Sequence, residues 1–454
     1  MTSGPVPGSV SSGTVGGSGR GAAEGDEMRN IRRLLASVAC ALLACGPLAA
    51  QDRPIAFTNA RLLPITGAPV ESGTLLVRDG RIVALGADVR IPADAERHDM
   101  AGKVIMPGLV DTHSHIGQVA GADGSGAIQP DVRALDSINV RHAGIGKARA
   151  GGITTVNVMP GSGHLLSGQT LYLKLRPATT IEDLGIRLAD GSPAGGVKMA
   201  NGTNPMRREG PFPGTRGKSA AMMRSALLAA REYCGKRGGS RDLAKEGLCD
   251  VLSGKRIVHF HSHRHDDIMT VLRLAREFKL RVVIQHGTDA WMVASEIAAA
   301  GVPVSSIVLD SPGGKLETMD FSMESGAVLE RAGVLTSFHT DDPVTDSRLL
   351  LRSAALAVRH GMSRDGALRA LTINAAKMLD LEARVGSLEP GKDADFIVLD
   401  GDPLSVYSRV QQTWVEGRLM FDRSRPEDAL HAEGGWGAGR DGIARDVLMM
   451  EAGE

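Results

Sequence analysis

The chain has 454 residues, with 52 basic and 52 acidic side chains and a formal net charge of zero. That balance supplies no basic field for nucleic acid and no acidic tail. With 42% apolar and 23% charged residues the composition is that of a globular protein, which excludes a disordered chain. Aromatic residues make up only 3% while glycine occupies 57 positions, so the core must be built from aliphatic side chains with many close backbone approaches.

Residues 1–27 are Gly/Ser-rich and cannot bury a core. From Met28 the text changes. Arg29, Arg32 and Arg33 precede an apolar run, Leu34 to Ala44, that is too short to span a bilayer, and small residues follow up to Ala50. This pattern predicts a secretory signal cleaved near Ala50, hence an exported, periplasmic protein, with Met28 a candidate start. Cys45, in Leu-Leu-Ala-Cys, is a candidate lipid anchor within a poor lipobox. A short buried helix is the competing reading. Cys40 and Cys45 lie in this leader, leaving Cys234 and Cys249, which either close a small disulfide loop in an oxidising compartment or remain two thiols.

Residues 51–105 read as short strands, with a hairpin predicted around Asp79-Gly80 in "RDGRIVALG". Residues 384–425 have the same texture, so one small β-sandwich is expected from the two chain ends. Between them, 106–383 alternates strand-like and helix-like runs. The strands are VIMPGLVDTH, ITTVNVMPG, GGVKMANG, RIVHFHSH, RVVIQHG, VPVSSIVL and VLTSFHTDD. The helices include KSAAMMRSALLAAREYC, DIMTVLRLAREFKL, AWMVASEIAAAG and SRLLLRSAALAVRHG. Repeated β–α alternation over this length predicts a parallel sheet closed as a (β/α)8 barrel, with chemistry at the C-terminal strand ends. Residues 426–454 read as a Gly-rich tail.

Four strand ends present histidine or aspartate: Asp111-Thr112-His113-Ser114-His115, His259-Phe260-His261-Ser262-His263, His286, and His339-Thr340-Asp341-Asp342. Residues two apart on a strand face the same side, so His113 and His115 point inward together. A lone His-x-His is more often a satisfied core pair, but four such ends in one chain argue for a zinc-type site with an open position for water.

These pieces carry a resemblance. "MPGLVDTHSHIG" at 106–117, "HFHSH" at 259–263, "IQHG" at 284–287, "HTDDP" at 339–343 and "GSLEPGKDADFIVLDGDP" at 386–403 resemble the amidohydrolase superfamily, within its imidazolonepropionase-like and prolidase-like group. The resemblance implies an α/β fold, a (β/α)8 barrel plus a sandwich, with one or two divalent metal ions such as Zn2+. By match, His113 and His115 are ligands from the first strand, His261 and His286 from the fifth and sixth, and Asp341 is the eighth-strand carboxylate. His261 is preferred because the run from His261 to Ile268 is similar to the "HAHGxxxI" segment, whose first His is the ligand. His259 then lies one layer deeper and His263 near substrate, while His265 and Asp342 take outer or surface positions. Lys198, at a strand end in "GGVKMANGTNP", matches the lysine that binuclear relatives carboxylate to bridge two metals. A lysine inside a barrel is costly unless paired or chemically changed. Lys174 is the competing candidate, and a Lys198 that binds a substrate carboxylate or snorkels is the plainer alternative.

The mechanism expected is hydrolysis of an amide, cyclic amide or dipeptide C–N bond by metal-activated water, with Asp341 as general base and acid and His263 at the carbonyl. His164 in the Gly-rich loop 160–169, together with Arg207 and Arg264, are candidate substrate contacts; Arg208 and Arg216 are further loop arginines that surface solvation explains equally well. The absence of a Glu shortly after His261 counts against a deaminase and, with the missing acidic pair, against a true imidazolonepropionase. A deaminase or lactonase of the same fold remains the alternative, and a non-catalytic scaffold a remote one. The expected partner is a small molecule, with no nucleic acid and no membrane span; a homo-oligomer stays open.

Overall fold

The computed structural model describes residues 53–117, 119, 123–236, 240–307 and 315–434. Residues 1–52, on which the predicted secretory signal and the candidate anchor Cys45 fall, and residues 435–454 lie outside the described residues. Among those described, no helix is long and apolar enough to cross a membrane.

The N-terminal strands are β1 (Ile55–Leu62), β2 (Val70–Arg78), β3 (Arg81–Gly86), β4 (Glu96–Asp99) and β5 (Val104–Pro107). The predicted hairpin joins β2 to β3, with Asp79 at φ 50° and Gly80 at φ 73°. Two consecutive positive φ values match the right-handed twist of the flanking strands, which is why Asp-Gly is favoured there. The central strands are β6 (Leu109–Ser114), β7 (Ile153–Val158), β8 (Leu166–Gln169), β9 (Leu171–Lys174), β10 (Val197–Ala200), β11 (Val258–Ser262), β12 (Val282–His286), β13 (Val304–Ile307) and β14 (Thr336–His339). The chain closes with β15 (Phe396–Leu399), β16 (Val410–Val415) and β17 (Arg418–Asp422).

The N-terminal and C-terminal strands share one sheet. β5 pairs antiparallel with β15, Met106 opposite Ile397, within one eight-stranded sheet ordered β17-β16-β15-β5-β1-β2-β3 with β4 on β1. Three aromatic rings meet here: Phe57 packs edge-on against Phe396 and Trp414 at 4.8 and 4.9 Å, over Leu62, Leu75, Val77 and Ile105.

The centre is a mixed α/β assembly. β10 through β14 run parallel in sequence order, each bonded to the next. Their helices bury the faces that the sequence marks. In His265–Phe278, Ile268, Val271, Leu272 and Ala275 form the inward stripe, and Lys279 ends the helix in the left-handed region at φ 56°. Regular alternation fails at one place. β9 pairs antiparallel with β7, and β8 antiparallel with β10, so the sheet is not parallel throughout. The segment between β7 and β9 is taken up by a loop and the short β8 and holds no helix to carry a parallel crossover. The ladders divide these strands into a six-stranded sheet and a three-stranded one, β6-β7-β9, and do not close into a ring. Backbone bonds nevertheless join their edges: Asp341 N–H donates to His113 O (2.9 Å), His115 N–H to Asp342 O (3.0 Å), and Tyr172 N–H to Ala194 O (2.9 Å). The first two bring the C-terminal ends of β6 and β14 side by side.

The expectation for Lys174 is corrected. Its ammonium, fully buried at the end of β9, pairs with Asp393 (2.9 Å) and with Asp395. It ties β9 to the turn before β15 and is not a ligand candidate. The tail is also partly corrected, because Pro426–Glu433 is a helix, started by proline at its first turn and placed against Ala143–Ala150 by the His431 ring beside Gly146.

Cys234 and Cys249 are disulfide-bonded, with Cα atoms 5.8 Å apart, and the bridge clips the end of helix Arg216–Cys234 to helix Leu243–Leu252. A loop of this size is worth about 3 kcal/mol in the chain-entropy account. Replacing both cysteines with serine should therefore lower unfolding stability by about 2–3 kcal/mol in urea titration, and a thiol count on unfolded, unreduced protein should find neither residue.

Candidate metal centre

The strand ends bring imidazoles from four strands into one cluster. His113, on β6, is fully buried, and its ring lies 5.1 Å from that of His115, 4.8 Å from His286 and 4.7 Å from His339. On β11, His261 lies 4.4 Å from His286 and 4.6 Å from His263. His259 faces the same side as His261 one layer deeper, as expected, where its nitrogens meet Tyr172 Oη (3.0 Å) and Gln285 Nε2 (3.1 Å). That makes it a satisfied core histidine.

Two residues of the cluster carry unusual backbone. His286 has φ 70° and Asp341 has φ 53°, a region that side-chain-bearing residues enter at a cost and that is concentrated at functional sites. In both, the chain is leaving its strand and turns so that the side chain is delivered over the strand ends.

Asp341 Oδ1 lies 2.9 Å from His115 Nε2 and 3.2 Å from His113 Nε2, and Oδ2 lies 3.9 Å from His286 Nδ1. His115 Nδ1 is 2.7 Å from the Met159 carbonyl, which accepts its N–H. His115 Nε2, together with His113 Nε2, faces Asp341 Oδ1, three atoms that one ion can share. Among the described residues two groups can hold an ion, His113 with His115 and Asp341, and His113 with His286 and His339. Both nitrogens of His261, Nε2 of His286, Nε2 of His263 and Nδ1 of His113 are buried without a hydrogen-bond partner. Buried polar nitrogens are ordinarily satisfied, so this concentration of orphans fits a site that binds a cation. Burial holds His113, His261 and His286 well below the usual imidazole pKa, in the neutral form that ligates metal. Asp341 is raised by burial but lowered more by its His115 bond and the surrounding positive groups, and stays below the ordinary carboxylate value. The donor set fits a divalent metal.

Lys198, fully buried on β10, places Nζ 3.0 Å from His113 Nε2 and 3.2 Å from Met159 Sδ, with no carboxylate in hydrogen-bond contact. Desolvation brings its pKa down to about 7. Asp111, raised to about 7 by burial, accepts from Thr340 Oγ1 (2.5 Å) and from the Thr340 and His113 amides, locking β6 to β14 under the cluster.

The remaining predicted positions divide. His263 packs on His286, with Nδ1 2.8 Å from Thr288 Oγ1. His164 is buried with both nitrogens unbonded and its ring edge-on to Phe212 at 5.0 Å. Arg207 stacks on that same Phe212 but directs its N–H groups to the carbonyls of Asn204, Met206 and Gly163. Arg264 pairs with Asp266 at an exposed helix start, and Arg216 is held by Asp267 (2.8 Å) and Glu317 (2.5 Å). Neither Arg264 nor Arg216 keeps a free guanidinium for substrate. Asp342 holds Ser347, and His265 is half exposed beside Asp289, both outside the cluster as expected. Two residues join to which the sequence assigns no role of their own, although His339 stands at the last of the histidine-bearing strand ends. His339 closes β14 two residues before Asp341, and the His-x-Asp spacing is the signal that points to it. Lys315 donates to Asn204 Oδ1 (2.9 Å), and its charge reaches His261 and His263, lowering both. No motif marks it.

Known proteins share this arrangement of chain. The amidohydrolase family model matches residues 226–421. A solved amidohydrolase from Thermotoga maritima is 36% identical, with a TM-score of 0.76, covering 81% of this chain and all of its own. The chain belongs to the amidohydrolase family. The amidohydrolase tasK of Hapsidospora irregularis is 26% identical over 394 residues, 78% of this chain; the chain spans only 39% of that longer relative. An imidazolonepropionase from Sphingopyxis alaskensis is 24% identical, covering 78% of this chain and 94% of its own length. Membership in this family makes the chain a metal-dependent hydrolase of C–N bonds.

Proposed function

We propose that this amidohydrolase cleaves the C–N bond of an amide, cyclic amide or dipeptide, using His113, His115, His261, His286 and Asp341 to hold zinc or a similar divalent ion. The observation that carries this is the convergence of His113 Nε2 and His115 Nε2 on Asp341 Oδ1, beside a cluster of buried imidazole nitrogens without a hydrogen-bond partner. When bound, the metal supplies Lewis acidity that acidifies a water and polarises a carbonyl. The protein's own groups do the rest. Asp341, ionised and facing the imidazoles, accepts the water proton and returns it to the leaving nitrogen. His263, neutral because burial lowers its pKa to about 3, accepts from Thr288 at Nδ1 and so presents Nε2–H to a developing oxyanion. Lys315 supports recognition of an anionic substrate group better than Arg207 or Arg264, whose donors are already engaged. His164, buried and unbonded on the 160–169 loop, supports a polar substrate contact there. No Glu follows His261 in the run Ser262, His263, Arg264, His265, which favours hydrolysis over deamination.

Lys198 enters this reading as a carbamate, which would supply a carboxylate-like group able to hold a second ion. A pKa near 7 leaves much of the amine neutral, so its lone pair attacks the carbon of carbon dioxide and a proton is released. Protein equilibrated with 13C-bicarbonate should show a carbamate carbon resonance that Lys198→Ala lacks; identical spectra would leave the site mononuclear. The fold that carries the site is, on this reading, a (β/α)8 barrel of residues 106–383 with a sandwich from both chain ends, supported by the parallel run β10–β14 and the β6–β14 backbone bonds. Export is part of the same reading, supported by the Cys234–Cys249 disulfide.

The test is metal analysis of protein purified without chelator, then a screen of N-acyl amino acids, Xaa-Pro and other dipeptides, and cyclic imides. Metal near one or two equivalents and chelator-sensitive amide cleavage are expected. Protein without zinc, manganese or iron would sink the reading, and ammonia release would redirect it to deamination.

A further inference from the structure

We propose that His339 is a positioning residue that fixes the tautomer and ring orientation of His286 through a buried hydrogen-bond relay, His286–His339–Ser305–Thr112. This rests on His286 being a metal ligand in the proposed function. The relay crosses four strands below the cluster. His339 Nε2 lies 3.3 Å from His286 Nδ1, His339 Nδ1 lies 2.9 Å from Ser305 Oγ, and Ser305 Oγ lies 2.5 Å from Thr112 Oγ1. His339, Ser305 and Thr112 are fully buried, so no water competes for these atoms.

A neutral imidazole has one N–H and one lone pair. The unpartnered atom of His286 is Nε2, which is therefore the atom left for a metal. If Nε2 gives its lone pair, the proton must sit on Nδ1, and Nδ1–H donates to His339 Nε2. His339 then carries its own proton on Nδ1 and donates it to Ser305, whose hydroxyl is hydrogen-bonded to Thr112. The two imidazole links share one direction: reversing either places the His286 proton on Nε2, where it blocks ligation, whereas the Ser305–Thr112 link can run either way. Ligating histidines ordinarily have their second nitrogen held by a carboxylate, a carbonyl or water, and loss of such a partner weakens metal binding ~10–100-fold. Here the partner is a second imidazole, which accepts only in the tautomer whose Nδ1–H is held by the Ser305 hydroxyl.

His339 also stands in one of the two groups that can hold an ion, with His113 and His286, so direct ligation is the role that the experiment separates from positioning.

The experiment measures zinc affinity of the full chain by competition with a chromophoric chelator, and the visible spectrum of the cobalt-loaded protein. Wild type, His339→Leu, His339→Gln and Ser305→Ala are compared. Leu removes the acceptor, and a ~10–100-fold loss of zinc affinity is expected. Gln offers an oxygen to His286 and an N–H to Ser305, so affinity within about threefold of wild type and an unchanged cobalt spectrum are expected. Ser305→Ala leaves both candidate metal groups intact yet removes the hydroxyl that holds the His339 Nδ1–H, and its affinity should fall in the same direction. Wild-type affinity in Ser305→Ala overturns the relay. A loss in His339→Gln equal to that in His339→Leu, with an altered cobalt spectrum, would make His339 a ligand and overturn it too. If His339→Leu does not fold, the Ser305→Ala and His339→Gln pair decides alone. Wild type that binds no zinc or cobalt would overturn the metal reading itself, a distinct result.

Discussion

Asp341→Asn will lower kcat by about 10²–10⁴-fold, the range for loss of a positioned general base and acid. The carboxylate is the only acidic group in the His113, His115 and Asp341 set, and it is held below the ordinary carboxylate pKa despite burial. Asparagine keeps the shape and tolerates the left-handed backbone at φ 53°, so the peptide geometry is preserved while the proton acceptor is lost. Steady-state kinetics on the best substrate of the screen, with metal content measured in parallel, would check this. A kcat within about threefold of wild type at full metal occupancy would remove Asp341 from the proton transfers.

Lys174→Met should produce the largest loss of stability, about 3–5 kcal/mol, because breaking a buried ion pair leaves uncompensated charge. The two carboxylates are not equivalent. Asp393 keeps Arg384 at 2.9 Å, whereas Asp395 is left with only the Glu416 amide at 2.9 Å. Burial already raises the Asp395 pKa in the intact protein, since desolvation outweighs the Lys174 charge. A carboxyl whose folded pKa lies above its unfolded value favours the folded state most at low pH and loses that contribution as pH rises. The Lys174→Met penalty should therefore shrink as pH falls through the carboxylate range, and equilibrium urea unfolding at two pH values measures it. Equal stability of wild type and variant at neutral pH would show that the pair is neutral in energy.

Much of the candidate site is legible in the sequence because strand geometry is periodic. A period of two places His113 with His115, and His259 with His261, from spacing alone. The same rule pairs His339 with Asp341, but spacing does not say which of the two meets a metal and which supports a neighbour. The arginines are illegible for a different reason. Charge on a loop says nothing about its partner, and Arg216 and Arg264 are neutralised by Asp267, Glu317 and Asp266, contacts that only the folded chain settles. The antiparallel β7–β9 pair escapes a pattern of alternation because its connection holds no helix to mark the change of direction.

The sequence by itself determined the charge balance, the aliphatic composition, the hairpin at Asp79-Gly80 and the histidine-bearing strand ends, since each depends on residues close in the chain. Tertiary structure alone decided which polar groups are spent on one another. Lys174 and Lys198 are both strand lysines with fully buried side chains. One meets Asp393 and Asp395 from some 220 residues away and becomes a structural cation, while the other meets an imidazole and a thioether and is left as a desolvated amine. Burial makes a lysine's chemistry depend on what lies within about 4 Å, and for these two lysines those neighbours come from distant parts of the chain.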